Sequence, residues 1–390
     1  MSQLGFSTLA LLVVIGLAGP LLAAVPRLGV PLVVGELAAG IVIGRTGFNL
    51  IDPTDPTLEL FANIGFALVM FVVGTHVPVR DKNLRALIPA AVRRAVLVGA
   101  VAAVGGALLA RAFGTGHPLL YAVLMASSSA ALALPVMNSL NLGGPPALST
   151  MAQIAIADAA SIILLPLVID PAHAPRAALG GLAIAACAGV LFVVLRHFDR
   201  TGTRKRLHHY SEDHAEALEL RLSLILLFGL AALAVATHVS IMLAGFALGL
   251  VIASIGEPRR LGRQLFGITE GFFGPLFFVW LGASLQVREL GERPQLALLG
   301  VALGVGAVLA HCAGRLLGQP LALAALAAAQ LGVPVAAATV GTEQHLLVPG
   351  EASALILGAL ITVGVASVAG RLAARTTTAR DSSPGTTAPR

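Results

Sequence analysis

The sequence predicts an all-α integral membrane protein of about thirteen transmembrane helices, and three observations carry that prediction. Of 390 residues, 57% are hydrophobic and only 11% are charged, whereas a soluble domain carries about 25% charged residues. The mean hydropathy is +0.91. Apolar runs of spanning length recur along nearly the whole chain and leave no room for a large soluble domain.

A spanning helix needs about 20 apolar residues. On that measure, segments fall near 4–24, 29–50, 57–78, 88–110, 117–139, 147–169, 177–196, 218–236, 238–255, 266–287, 295–317, 319–342 and 351–372. The first has no basic residues ahead of its apolar run and more spans follow it. It therefore reads as a retained helix and not as a signal peptide. The transmembrane unit takes in residues 1–375. The remainder, 376–390 (TTTARDSSPGTTAPR), is polar and rich in Pro, Ser and Thr, the composition of a disordered cytoplasmic tail.

Basic residues set the orientation. With the N-terminus outside, 17 of the 25 Lys and Arg residues fall inside and five outside (Arg45, Arg111, Arg176, Arg288 and Arg293); Arg93, Arg94 and Arg221 lie within or beside spans. An odd helix number then leaves the C-terminus in the cytoplasm. The net charge of +6 is accounted for by this topology and gives no reason to expect a nucleic-acid partner. Both cysteines, Cys187 and Cys312, lie in predicted spans, against a disulfide framework or a cysteine metal site.

The chain resembles itself. VPLVVGELAAGIVIG (30–44) aligns with VSIMLAGFALGLVIA (239–253), matching Gly40 with Gly249. At nearly the same offset ALVMFVVGTHVPV (67–79) aligns with PLFFVWLGASLQV (275–287), matching Gly74 with Gly282. An odd shift in helix number gives the copies opposite orientation, the inverted-repeat plan of secondary transporters. Each half also holds a span ill-suited to a continuous helix. MASSSAALALPVMNSL (125–140) combines Ser127, Ser128 and Ser129 with Pro135, and AAQLGVPVAAATVGTEQ (328–344) combines Gly332, Pro334 and Thr339. Proline removes an N–H, and clustered hydroxyls rebond to backbone carbonyls. Such pairs mark midplane binding sites in transporters, although Pro and Gly also occur as plain kinks.

One charge stands out. Asp158 lies in TMAQIAIADAASIILLPLVI (150–169) with no other charge within ten residues. An ionised Asp at mid-bilayer depth costs about 2.5–3.5 kcal/mol, so it is expected to face a partner, a wet cavity or a travelling ion. Ser161 is one turn further along the same face and can bond the carboxylate or a backbone carbonyl. Glu36 is the other acid inside a span. The cluster LHHYSEDH (207–214) can bind a metal, but its loop setting makes a solvated face the simpler reading. No GxxxxGK[ST] phosphate loop is present, so ATP-driven pumping is not expected; the chain reads as a transporter, with no cofactor and no enzymatic activity expected.

VPLVVGELAAGIVIGRTGF (30–48), FANIGFALVMFVVGTHVPV (61–79), SSAALALPV (128–136), the Asp158 helix and GPLFFVWLGASLQV (274–287) together resemble the monovalent cation:proton antiporter superfamily, in the branch of bacterial sodium/proton antiporters and Kef-type potassium-efflux systems. The resemblance runs in order over about residues 5–372. It implies thirteen helices, a homodimer in a bacterial plasma membrane, and a core domain in which two interrupted helices cross beside an ion-binding Asp. It implies Asp158 as the shared site for H⁺ and Na⁺ or K⁺, with Ser128 and Ser129 as its hydroxyl pair. His311 falls where many members have an intramembrane Lys, either as a counter-charge or as a neutral packed His. Glu36 becomes the Glu of the GE element, with a structural role near the core or, alternatively, as an ion ligand. Ala157 departs from the second acid, Asn or Gln of relatives, and one carboxylate implies electroneutral one-for-one exchange. Kef-type systems usually carry a cytosolic nucleotide-binding domain, so any such control is expected from another polypeptide or not at all. A channel-like efflux protein and a non-transporting membrane sensor are the competing expectations.

Overall fold

The computed structural model describes residues 5–24, 32–75, 82–169, 174–202, 214, 216–237, 239–256, 259–285, 287–343, 345–348 and 350–381. Eleven described helices are long and apolar enough to cross a membrane. They are α1 (Phe6–Ala23), α3 (Pro56–Thr75), α4 (Lys82–Phe113), α5 (Pro118–Ser139), α6 (Gly144–Ile169), α7 (Ala174–Arg200), α8 (Leu218–Ala236), α10 (Leu261–Ser284), α11 (Pro294–Leu317), α12 (beginning at Leu321) and α13 (Glu351–Asp381). Two shorter apolar helices complete the thirteen: α2 (Leu32–Ile43) and α9 (Ile241–Ile255). No strand occurs among the described residues. The chain is a multi-pass membrane protein.

The helices sort into two bodies by their packing. α3 packs along α9 and α10, α2 along α1 and α10, and α7 and α8 along α9, forming a scaffold. α4 packs on α5, α6 and α11, while α13 packs on α11 and both halves of α12, forming a core. The repeat is built into the scaffold through its glycines. A methyl added at Gly40 of α2 would run into the Val279 carbonyl and the Cα of Gly282 on α10; one at Gly249 of α9 would run into the Phe71 carbonyl and the Cα of Gly74 on α3. The residues matched by the repeat are thus partnered crosswise, first element of one copy against second element of the other. Only glycine allows helices to approach so closely in lipid, where dispersion contacts and not apolar burial drive packing.

Two boundaries and one internal irregularity depart from the hydropathy reading. α2 ends at Ile43, not near 50, because the chain turns back at Gly44–Asn49: the Phe48 N–H donates to the Val42 carbonyl at 2.7 Å, and Asn49 takes φ 51°. α10 contains a π turn, Thr269–Phe273, with Glu270 on its exposed side. α13 runs through Asp381, so the first six residues expected in a disordered tail are helical; 382–390 lie outside the described residues. Both cysteines are free. Of LHHYSEDH only His214 is described.

Candidate functional site at the helix crossing

Two helices of the core are interrupted. α5 divides into α5a (Pro118–Ala126) and α5b (Ala130–Ser139), and α12 into α12a (Leu321–Ala327) and α12b (Gly332–Glu343). The first break falls at Ser127–Ser129, six residues ahead of Pro135, so the serines and not the proline end the helix. The Ser127 and Ser128 hydroxyls bond to carbonyl oxygens, as clustered serines do. Ser127 Oγ lies 2.8 Å from the Leu124 carbonyl oxygen and 2.5 Å from the Gln330 side-chain amide. Ser128 Oγ donates to the Ala327 carbonyl at 2.7 Å. Pro334 falls in the first turn of α12b, where a missing N–H is harmless.

The breaks cross and bond directly. The Ser129 N–H donates to the Ala329 carbonyl at 2.6 Å. Each break frees N–H groups that the neighbouring helices then serve. Asp158, fourteen residues into α6, places Oδ2 where it accepts from the Ala130 N–H at 2.8 Å. Ala130 is the first residue of α5b, so the carboxylate caps a half-helix at the end that favours negative charge. On the opposite half the Gln330 N–H donates to Thr362 Oγ1 of α13 at 3.2 Å. Asp158 is 1% exposed, and Ala157 beside it supplies no second acid.

His311 reaches this cluster from α11 and is fully buried. Its Nδ1 lies 3.0 Å from the Ala307 carbonyl, which can only accept, so Nδ1 carries a proton. Nε2 then faces Ser128 Oγ at 3.3 Å. The Ser128 proton has two acceptors within reach, His311 Nε2 and the Ala327 carbonyl, so the imidazole touches the crossing through Ser128 and not through Asp158. Ser161 donates to the main-chain carbonyl of Asp158 at 2.9 Å, not to its carboxylate. Glu36 does not join the cluster. It is buried in the scaffold against Gly19 of α1, and neither carboxylate oxygen has a hydrogen-bond partner. Thr339 contributes to α12b, but its side chain lies outside what is described.

The fold brings together Asp158, Ser128, Ser129 and His311, the residues singled out from the sequence, and adds Gln330 and Thr362, which were not expected there. Gln330 had a signal, a lone amide beside the Gly332–Pro334 break. Thr362 had none: the repeat offset of 208–209 residues carries Asp158 to positions 366–367 and not to 362.

A cavity of about 670 Å³ separates scaffold from core at one end of the bundle. Phe66, Met242, Phe277 and Trp280 line its scaffold side, and Ile162, Leu165, Gly332 and Val333 its core side. Glu59, Asn63 and Arg176 are among its polar groups. Ile162 lies one turn beyond Asp158, and Gly332 opens α12b, so the cavity ends one layer of side chains short of the carboxylate. Among groups outside the spans, the Asp52 carboxylate is held below the usual range by the Thr54 hydroxyl and N–H, with Arg45 adding to the effect.

The model of one family, the sodium/hydrogen exchanger transmembrane family, matches residues 9–374. The chain belongs to that family. Among curated exchanger-like relatives, a glutathione-regulated potassium-efflux system protein KefC from Salmonella typhi is 29% identical over 317 residues, covering 79% of this chain and 50% of the relative. The same protein from Salmonella newport matches to the same extent. The chain thus spans about half the length of the curated relatives it matches. In fold it is similar to the sodium proton antiporter MjNhaP1 from Methanocaldococcus jannaschii. A structure of that protein at pH 8 aligns with TM-score 0.63 and 18% identity over 95% of this chain and 96% of the other. An electron-microscopy structure aligns with TM-score 0.68 and 18% identity over 99% of both.

Proposed function

We propose that the chain is a secondary antiporter that exchanges one proton for one Na⁺ or K⁺, with Asp158 as the shared site. The observation that carries this is the setting of Asp158: a buried carboxylate at the crossing of two broken helices, held by the Ala130 N–H at 2.8 Å and with no ion pair among the described residues. A carboxylate can hold a proton or a monovalent cation but not both, so competition couples the two flows. Freed carbonyls and serine hydroxyls at the breaks supply the neutral oxygen ligands a dehydrated cation needs, and the α5b dipole steadies the negative charge. With one acid at the site, each cycle moves one charge each way and is electroneutral.

The core carries the crossing as a body, and the cavity reaches it from one end only by way of a layer at Ile162 and Gly332. Movement of the core against the scaffold opens the site to alternate sides. K⁺ as cargo draws support from the likeness to KefC, and Na⁺ from the family as a whole. The bacterial plasma membrane, the outside N-terminus and a homodimer are part of the same proposal. A channel-like efflux protein would need a continuous path, which the burial of Asp158 argues against.

The test is a ΔpH dye in everted vesicles, titrated with Li⁺, Na⁺, K⁺ and Rb⁺. The wild type is expected to dequench the dye with Na⁺ or K⁺ at a rate unaffected by an imposed membrane potential. Silence toward every alkali cation, or an unchanged response in Asp158→Asn, would overturn the proposal. A rate that tracks the potential would overturn the one-for-one stoichiometry alone.

A further inference from the structure

Away from the crossing, three arginines gather where α4 meets the turn between α11 and α12. Arg94 of α4 is only 8% exposed. Its Nη1 donates to Ser149 of α6 at 2.8 Å and its Nη2 approaches the Leu317 carbonyl at 3.4 Å, while Nε has no partner. Beside it Gln319 donates to Thr150 at 3.1 Å and leaves its own carbonyl oxygen unpartnered, in space that Gly314 keeps clear. Arg93 and Arg315 are exposed next to this site, and the 3₁₀ turn Ala313–Leu317 that carries Arg315 packs on α4. The charges of Arg93 and Arg94 are close enough to repel. No ion pair involves any of the three among the described residues. Their surroundings have no acid to offer: residues 82–113, 144–157 and 294–331 contain no Asp or Glu.

Depth and neighbours say what the missing anion is. Arg94 lies 19 residues before the end of α4 at Phe113, about 28 Å at 1.5 Å per residue, close to the roughly 30 Å hydrocarbon thickness. Arg315 lies 21 residues after the start of α11 at Pro294, about 31 Å by the same rise. By helix length, both arginines fall about one hydrocarbon thickness from the far ends of their helices, the depth at which one leaflet's headgroups lie. Around them the surface is apolar: Leu316 is 81% exposed, and Val92, Val96, Leu317 and Leu321 are exposed as well. A cationic junction between helices with apolar flanks suits a phosphate that brings acyl chains with it.

We infer that Arg93, Arg94 and Arg315 form a headgroup site for an anionic phospholipid at the end of the core where α11 turns into α12. The phosphate bridges α4 to the α11–α12 turn, and its chains lie over Leu316 and Val96. It supplies the counter-charge that Arg94 lacks and ties the level of that turn to the leaflet. This stands apart from the antiport reading, since it concerns lipid binding and not cation exchange.

The experiment is thermal unfolding of the purified full-length chain in neutral detergent with added phosphatidylglycerol, phosphatidylcholine or inorganic phosphate. Phosphatidylglycerol is expected to raise the Tm by about 4 °C over phosphatidylcholine, as a ligand bound by the folded state does. The exposed double variant Arg93→Gln/Arg315→Gln is expected to lose at least half of that difference while matching the wild type in phosphatidylcholine. Native mass spectrometry should count fewer retained phosphatidylglycerol molecules on the variant. Equal stabilisation of wild type and variant, or no preference for phosphatidylglycerol over phosphatidylcholine, would overturn the inference. Full reproduction of the shift by inorganic phosphate would overturn the lipid as occupant and leave a free-anion site. Arg94→Lys, which keeps the charge but gives up the fork, serves as the internal check: it should retain part of the lipid effect.

Discussion

The two broken helices solve the same problem with different chemistry. In the first half, the N–H of Ala130 freed at the break of α5 is met by Asp158 on the following helix. In the second half, the N–H of Gln330 freed at the break of α12 is met by Thr362 on the helix that follows it. The spacings are alike, 28 residues in one case and 32 in the other. One half answers with a charge and the other with a hydroxyl. Structural need alone is thus satisfied by a neutral oxygen, as Thr362 shows. An ionisable group at Asp158 is more than holding a helix end requires, which is why the proposed exchange is placed there.

The comparison can be broken most directly by exchanging the acceptors. Asp158→Asn keeps an oxygen for the Ala130 N–H but removes the titratable charge, and is expected to lower cation-dependent dye dequenching at least about 100-fold, the scale of a lost essential group. Thr362→Val removes the acceptor of the Gln330 N–H and a local bond to the Ala359 carbonyl of its own helix; with only the first, worth about 1 kcal/mol, bearing on the break, it is expected to cost only about fivefold. If both variants fold and lose activity equally, the asymmetry between the halves has been misread.

Proton competition sharpens the same contrast. As pH falls, more Asp158 carboxylates carry a proton and fewer admit a cation, so the apparent KM for the cation rises. The limit for one competing proton is about tenfold per pH unit, and initial rates over a cation series at several pH values give the slope. A flat profile would place the competition elsewhere. Ser128→Ala removes a hydroxyl bonded to the Ala327 carbonyl and lying against His311, and is expected to raise the apparent KM about three- to tenfold at roughly 1 kcal/mol per bond. The smallest effect belongs to Ser161→Ala. Its hydroxyl meets only the Asp158 carbonyl, a bond that helices tolerate losing, so a change below about twofold is expected in the same assay.

Much of this arrangement was legible in the sequence, for physical reasons particular to certain residues. Hydropathy reports spans because lipid permits few alternatives to an apolar helix, and Asp158 declares itself because a lone acid is costly there. The glycines that align Gly40 with Gly249 and Gly74 with Gly282 carried the repeat. What pattern could not supply was the other side of each contact. The Ala327 and Ala329 carbonyls are backbone atoms of unremarked alanines, selected only when two breaks are brought face to face. Arg94 could be placed from the sequence only within or beside a span, and its burial between α4 and α6 had no pattern to announce it. The early end of α2 depends on a chain reversal through Gly44–Asn49 that an apolar run conceals.

The crosswise glycine contacts also bear on how the chain is made. Gly74 waits for Gly249, 175 residues later, and Gly40 for Gly282, 242 residues later. At the usual 5–20 residues per second of synthesis, α2 and α3 spend on the order of ten seconds or longer in the bilayer before their partners emerge. Until then their glycine notches face lipid or a passing helix. Assembly of the scaffold is consequently a late event that neither half can complete alone. A ribosome stalled before α9 would leave a half-protein whose closest-packing surfaces have nothing to close upon.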